Sequence, residues 1–384
     1  MQLLLESLFN GVAIGSVLMM AALGLAIVFG LMGVINLAHG ELIMLGAYTT
    51  YVVQMVFKLP AFQPIYSLYV LVAIPLAFVV SGVVGILLER TVIRRLYGSP
   101  LETLLATWGV SLILQQFVRS VPLAHAAGLI LALVLGFGLP LVLPQRLFEG
   151  PRARINRAIT WAVSAFGGVL LAGGLASQIS RIARATSRNV DVTAPKWMRG
   201  GIEWMDITFP VPRLVIIVMT ILAVLGVTWF LNRSVWGMRI RAVTQNRSMS
   251  DCLGIPTDTV DVLTFGIGSG LAGVAGVAVS LLGSVGPNVG GSYIVGCFMV
   301  VVLGGVGNLL GTVLASFAIG LMTDLIGAGR LLTIWPEMPA PLAGAVNFFA
   351  TTSMAQVLVF ALIVLFLQFR PAGLFPQKGR MVEA

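Results

Sequence analysis

Read for polarity alone, the chain is a series of long apolar runs separated by short polar joins. A helix needs about 20 consecutive apolar residues to cross the hydrocarbon core of a bilayer. Runs of that kind lie at 8–30, 35–57, 66–88, 103–120, 122–143, 158–180, 212–231, 259–283, 294–326 and 351–369. The run at 294–326 is too long for one crossing and is interrupted by Gly304-Gly305-Val306-Gly307-Asn308. It predicts a short apolar leg, a glycine turn and a second helix. The whole pattern predicts an all-α, polytopic transmembrane bundle of about 10 spans, one domain over residues 1–384. The first run lacks a basic flank and is too long for a signal peptide, so it predicts a retained first helix.

One join is different. Asn232–Pro256, the body of a loop at 232–258, is polar over its whole length and carries Arg233, Arg239, Arg241 and Arg247. Basic residues in loops mark the cytoplasmic side. Gly254 suits a left-handed C-terminal position and Pro256 forbids continuation, so the segment predicts a short helix held against the cytoplasmic face. Such a helix is a handle for a partner.

Composition removes the soluble alternatives. The chain has 384 residues, 58% hydrophobic and 10% charged, with mean hydropathy +1.01. Soluble domains carry about 25% charged residues. A net charge of +9 would suggest nucleic acid in a soluble protein. Here the basic residues sit in short joins, where they orient the chain in the bilayer, so no nucleic-acid partner is expected. Four clusters hold 14 of the 23 basic residues: Arg90, Arg94 and Arg95; Arg146, Arg152, Arg154 and Arg157; the four arginines of the polar loop; and Arg370, Lys378 and Arg380. Counting 294–326 twice, all four fall on one side, with the N-terminus outside and the C-terminus inside. Arg181, Arg184 and Arg188 fall on the other side and disagree. The longer outer stretches, 184–211 and 327–350, are too small for domains. Pro195–Trp204, with two tryptophans and a Gly-Gly pair, reads as a small hairpin or an interfacial belt. Cys252 and Cys297 make no disulfide framework.

Polar groups at membrane depth are costly and are functional candidates by default. The most conspicuous set is Asn36, His39 and Glu41. Asn36 and His39 are three apart and can share a helix face; Glu41 points elsewhere in a regular helix, and Gly40 is a candidate break. The set is either a gate or substrate-contacting group in a broken helix, or a cap on a helix start at the cytoplasmic interface. Thr107, Ser111 and Gln115 repeat every four residues on the fourth run, facing either a polar path or a neighbouring helix. Asn288, Asn308 and Asp324 read as helix caps or binding groups, Asn308 being kept as a pathway candidate. Gly266, Gly268, Gly270, Gly273 and Gly276 form a small-residue face, either for packing or lining a path. Catalytic and metal constellations are absent. No G-x-x-x-x-G-K-[ST] loop or HExxH occurs, the two histidines are too few for a histidine-rich site, and Ser269 sits wrongly for G-x-S-x-G.

Gly33-Val-Ile-Asn-Leu-Ala-His-Gly-Glu-Leu-Ile-Met-Leu-Gly-Ala-Tyr48 closely resembles the signature of permeases from branched-chain amino-acid ABC importers. Arg239–Arg247 with Gly254-Ile-Pro256, Val301–Asn308 and Arg370-Pro-Ala-Gly-Leu-Phe375 extend the resemblance over most of 8–120 and 188–380. Glu102–Gln116 and Asn189-Val-Asp-Val192 are similar to the urea-transport branch, and the chain looks like the first of its two permeases. The resemblance implies a second permease subunit, two cytoplasmic ATPase subunits, a periplasmic substrate-binding protein, a bacterial inner membrane, and ATP consumed by the partners with no cofactor held here. It implies a coupling role for Arg239, Arg241, Ala242, Asn246, Arg247 and Gly254, with Ala242–Leu253 in an ATPase groove. Residues 121–187 depart from the family as an insertion of about two extra spans. A passive channel or ion-coupled carrier is the alternative of another class; it needs no ATPase and favours ionisable groups at mid-membrane.

Overall fold

A computed structural model describes residues 2–60, 62–121, 123–142, 156, 160–170, 189–204, 207–330 and 340–375. Helix α1, Gln2–Ile27, is apolar almost throughout and ends in a π turn, Val28–Met32, closed by Gly33 at φ +70. The chain then runs without helical structure to Ala38, and α2 begins at His39 and ends at Phe57. Four spans and a short helix follow: α3 (Tyr69–Thr91), α4 (Pro100–Ser120), α5 (Leu123–Val142) and α6 (Thr160–Leu170) lead to α7 (Val211–Arg233). Before α7, strands β1 (Gly201–Trp204) and β2 (Ile207–Pro210) pair antiparallel, Gly201 opposite Pro210, so the hairpin lies later than the Pro195–Trp204 segment and shares only its last four residues. Helices α8 (Val235–Gln245) and α9 (Arg247–Cys252) make up the polar loop. The chain closes with α10 (Thr257–Leu282), α11 (Val289–Gly304), α12 (Leu309–Gly327), α13 (Ala340–Phe349) and α14 (Thr352–Phe369).

The result is a polytopic helical membrane bundle, in which, among the described residues, six helices are long and apolar enough by themselves to cross a bilayer. Helices α2, α11 and α14 pack among them. The long run at 294–326 divides as its glycines require: Gly305 (φ +101) and Gly307 (φ +85) turn the chain between α11 and α12. Asn308 accepts from Gly311 N at 3.1 Å and caps α12.

Helix α10 is the axis of the bundle, 83% buried over its apolar window against 17% for α7, and packs on α1, α2 and α3. The glycine face makes this contact. A side chain at Gly273 would strike Ala77 O and Ser81, one at Gly276 the Ile43 carbonyl and Ala47 N, and one at Gly268 the Gly24 carbonyl. The packing reading of that face therefore holds, with helix backbones in direct contact.

The ends of α1, α3 and α7, the α8–α9 loop, the 305–308 turn and the segment 370–375 gather at one end. Gly30 abuts Gly307, Leu374 N donates to Leu303 O at 2.8 Å, and Arg94 reaches Asp258. This is the end that holds Arg90, Arg94, Arg95, the loop arginines and Arg370. The start of α1, the end of α12 and the start of α7 gather at the other, where Arg330 pairs with Glu6 at 3.0 Å and Arg213 donates to Asn10. The arginines at 146–157, most of the 158–180 run, Arg181, Arg184 and Arg188, residues 331–339, and Lys378 with Arg380 lie outside the described residues. Helices α5 and α6 pack closely, Gly168 against the Gly128 carbonyl and Gly136 against the Trp161 ring.

Candidate functional site

The chain breaks at Gly33–Ala38, not at Gly40, which lies in the first turn of α2. Asn36 precedes that helix and so shares no helical face with His39. The position of the break decides between the two readings of this segment. The His39 ring lies beside Gly24 of α1, and Gly24 abuts Gly268, the twelfth of the 26 residues of α10. Helix α2 therefore starts halfway through the bundle. The preceding non-helical backbone is at membrane depth, where it is tolerated only inside protein or beside a cavity. This placement favours the broken-helix reading over a cap at the cytoplasmic interface.

Asn36, His39 and Glu41 are buried, none more than 2% exposed, and each is held differently. Asn36 Oδ1 accepts from Ala38 N at 3.0 Å, closing the turn into α2. The His39 Nε2 proton is donated to Ala21 O at 3.0 Å, because a carbonyl only accepts; this pins the helix start to α1. Glu41 turns to α4, where Oε1 accepts from Ser111 Oγ at 3.0 Å and Gln115 Nε2 at 2.7 Å. One turn lower, Thr107 Oγ1 accepts from Leu37 N at 3.2 Å. Two sets that the sequence separates by some 70 residues thus form one polar seam between α2 and α4. His39 stands on the far side of α2 from it. Asn36 Nδ2 and Glu41 Oε2 have no protein partner, so the seam retains a buried donor and a buried acceptor.

Asn308 stands apart at the cytoplasmic end, where besides capping α12 it donates to Phe375 O at 3.3 Å. Asp324 accepts from Ser7 Oγ at 2.7 Å at the opposite end. Arg119 of α4 donates to Asn288 at 2.8 Å, an exposed pair that no spacing rule indicates. Among the described residues no cluster of three or more His, Cys, Asp or Glu is placed to hold a metal ion.

The polar loop contains two helices where one is expected. Ser234 Oγ accepts from Gly237 N at 2.9 Å and starts α8; Asn246 Oδ1 accepts from Met249 N at 2.9 Å and starts α9. Asn246, in extended backbone at φ −153, is the break. Ala242 lies in the last turn of α8, and Gly254 at φ +77 ends the unit before α10. The arginines separate by direction. Arg239, half-buried, stacks on Trp236 at 4.9 Å, and the exposed Arg241 reaches Asn232 at 3.5 Å. Arg247 turns inward to Asp261 at 2.6 Å and lies over Tyr97 at 5.1 Å. Burial pushes the Tyr97 hydroxyl far above its usual range. The loop also exposes Met238, Met249 and Leu253, the last at 74%.

Comparison with known proteins assigns this architecture. The family described as "Branched-chain amino acid transport system / permease component" matches residues 7–121 and 105–367. The chain belongs to this family. The permease is 27% identical over 374 residues to the high-affinity branched-chain amino acid transport system permease protein LivH of Salmonella typhimurium, covering 96% of this chain and 94% of that one. The LivH protein of Escherichia coli K12 gives the same figures. BraD of Pseudomonas aeruginosa, a protein of the same description, is 26% identical over 372 residues, covering 96% and 95%. No solved structure matches the permease. These relatives are transport permeases, not enzymes.

Loss of the Glu41 carboxylate gives the first test of the seam. In Glu41→Ala, the buried Ser111 and Gln115 donors lose their acceptor, at about 1–3 kcal/mol for each unsatisfied group. Initial uptake rates fall by about tenfold or more. Glu41→Gln, which keeps an acceptor oxygen and the side-chain shape, retains more of the rate. Equal rates for wild type and Glu41→Ala at equal protein level would remove Glu41 from the path.

Proposed function

We propose that the permease forms half of the solute path of an ATP-driven importer of the bacterial inner membrane, with urea as its cargo. In this reading a second permease supplies the other half, two cytoplasmic ATPases dock on α8–α9, and a periplasmic binding protein delivers the solute. The chain contributes no nucleotide site of its own. One observation carries the cargo assignment. Both segments similar to the urea branch pack on α2, one beside its first turn and the other further along it. Glu102–Gln116 is the α4 segment carrying Thr107, Ser111 and Gln115. Asn189–Val192 contains the bridge between Val190 and Val285, with both N–O distances 2.8 Å, and its valines pack with Met44, Ala47 and Tyr48. The two segments that resemble the urea branch thus share α2, the helix that carries Glu41, as a neighbour.

A neutral amide suits such a seam. Asn36 Nδ2 offers a donor for a carbonyl oxygen and Glu41 Oε2 an acceptor for an N–H group. A second reading takes branched-chain amino acids as cargo, favoured by the relatives' printed functions. Radiolabelled uptake in a strain lacking this gene distinguishes them. Urea uptake is lost and leucine uptake retained if the first reading holds. Unchanged urea uptake sinks it, and loss of leucine uptake establishes the second.

A further inference from the structure

Charged side chains attach the α8–α9 loop to the bundle. Three carboxylates and two guanidinium groups meet at the cytoplasmic end, on segments remote in sequence. Arg247, the first residue of α9, stands 2.6 Å from Asp261 of α10 and stacks on Tyr97 in the join between α3 and α4. Arg94, just past α3, bridges Glu89 at 3.4 Å and Asp258 at 3.3 Å. Asp251 of α9 accepts from Thr257 Oγ1 of α10 at 3.0 Å. The α9 helix therefore holds α10 by two side-chain links and the α3–α4 join by a third.

Burial is one-sided. The Glu89 and Asp261 side chains are 0% and 6% exposed, whereas Arg94 and Arg247 are 37% and 46% exposed. Glu89 and Asp261 are set into the bundle, Asp258 is 69% exposed, and the two cations reach in from the periphery. A buried carboxylate deprived of its cation is strongly disfavoured, so the contact resists being pulled apart as well as being compressed. Beyond Asp261, α10 runs into its glycine face, where Gly268 meets Gly24 and Gly273 meets Gly46. Backbone-to-backbone contacts leave no flexible side chain between the helices to absorb a shift.

We propose that Arg247 and Asp261, steadied by Tyr97 and the Arg94 bridge, form the joint that transmits displacement of the α8–α9 loop to α10, and through it to the start of α2 beside Glu41. The proposal rests on the reading of this chain as a subunit of an ATP-driven importer. Arg247 and Asp261 are positioning residues: they touch neither solute nor nucleotide. Arg239 and Arg241 make no contact with this pair: Arg239 stacks on Trp236 and Arg241 reaches Asn232.

The test uses the complete transporter in proteoliposomes, following ATP hydrolysis together with uptake of radiolabelled urea and leucine. Asp261→Arg, which lies in α10 off the docking helices, leaves ATP hydrolysis within about twofold of wild type, and Arg247→Asp is read by the same ratio of uptake to hydrolysis. Each lowers solute moved per ATP by about tenfold or more, equivalent to about 1.4 kcal/mol of coupling. The exchanged pair Arg247→Asp with Asp261→Arg recovers most of that ratio, because the ion pair is restored with reversed polarity. If a charge reversal lowers the amount of protein in the membrane, Arg247→Lys and Tyr97→Leu take its place, since each loosens the stacked contact without stranding a like charge. Unchanged solute per ATP in a properly inserted single variant overturns the joint, as does an exchanged pair no better than the singles. Failure of the importer reading looks different: the wild-type complex then shows no ATP-dependent uptake of either solute.

Discussion

Replacing Met249 and Leu253 together by aspartate abolishes ATP-driven uptake while the permease still inserts and folds. Both side chains point to water in the isolated chain, at 58% and 74% exposure, so nothing inside the bundle depends on them. Exposed apolar groups rimmed by charge mark a surface meant to be covered. Here Arg239 and Arg241 provide the rim, as residues of the preceding helix α8. Two buried carboxylates at the centre of a docking surface cost at least about 2 kcal/mol each, enough to reduce assembly about thirtyfold per site. Co-purification of the ATPase subunits, measured beside uptake, separates failed docking from failed folding. Normal uptake by the double variant would return the chain to the class of channels and ion-coupled carriers.

Replacing Gly46 by leucine has the second large effect, through the fold rather than the partner. A Cβ at Gly46 meets the carbonyl oxygen of Gly273, with the Cα of Gly273 2.6 Å away. These are backbone atoms, so no rotamer change relieves the clash. Inserting atoms into a well-packed core already costs about 1–3 kcal/mol when side chains can adjust. The seam between α2 and α10 has none to adjust, and separating it also displaces the Ala47 contact with Gly276. Solubilised Gly46→Leu is expected to unfold at markedly lower temperature and to lose its monodisperse peak in size-exclusion chromatography. Gly109→Ala on α4 is the control, since a Cβ there meets nothing within 4 Å. Equal thermal stability of Gly46→Leu and wild type would contradict the close α2–α10 contact.

Much of the candidate site was legible in the residues themselves. Glu41 and the Thr107, Ser111, Gln115 face stood out because polar groups in apolar runs are expensive, and fourfold spacing puts three of them in one line. Nothing in the spacing says that these two sets belong to each other. Hydrogen-bond partners some 70 residues apart become visible only when α4 is laid beside α2. Gly40 drew attention as the break because glycine interrupts helices. Gly33, at φ +70, took that role instead, and Gly40 serves to let the α11 backbone approach at Gly290. Either glycine satisfies local backbone rules; the neighbouring helix selects between them. Arg247 shows the same limit. It is one of four arginines in a basic loop, and only the position of Asp261 pairs it with α10 while Arg239 and Arg241 contact residues of their own loop.

By itself the sequence determined that this is a polytopic helical membrane protein, which side its arginine-bearing joins face, where the chain must turn at Gly305 and Gly307, and which polar residues carry a cost that function or structure must offset. Those properties follow from the solvent: bilayer thickness, the penalty for unpaired polar groups and the retention of positive charge act on each segment separately. The tertiary structure alone decided that α2 begins at mid-bundle, that Glu41 faces α4 while His39 faces α1, and that the cytoplasmic loop is tied to α10 by Arg247. These depend on which helices meet, and in lipid that is settled by close packing of small residues and by individual polar contacts. A uniform hydrophobic drive leaves a periodic trace along the chain; contacts of this kind leave none.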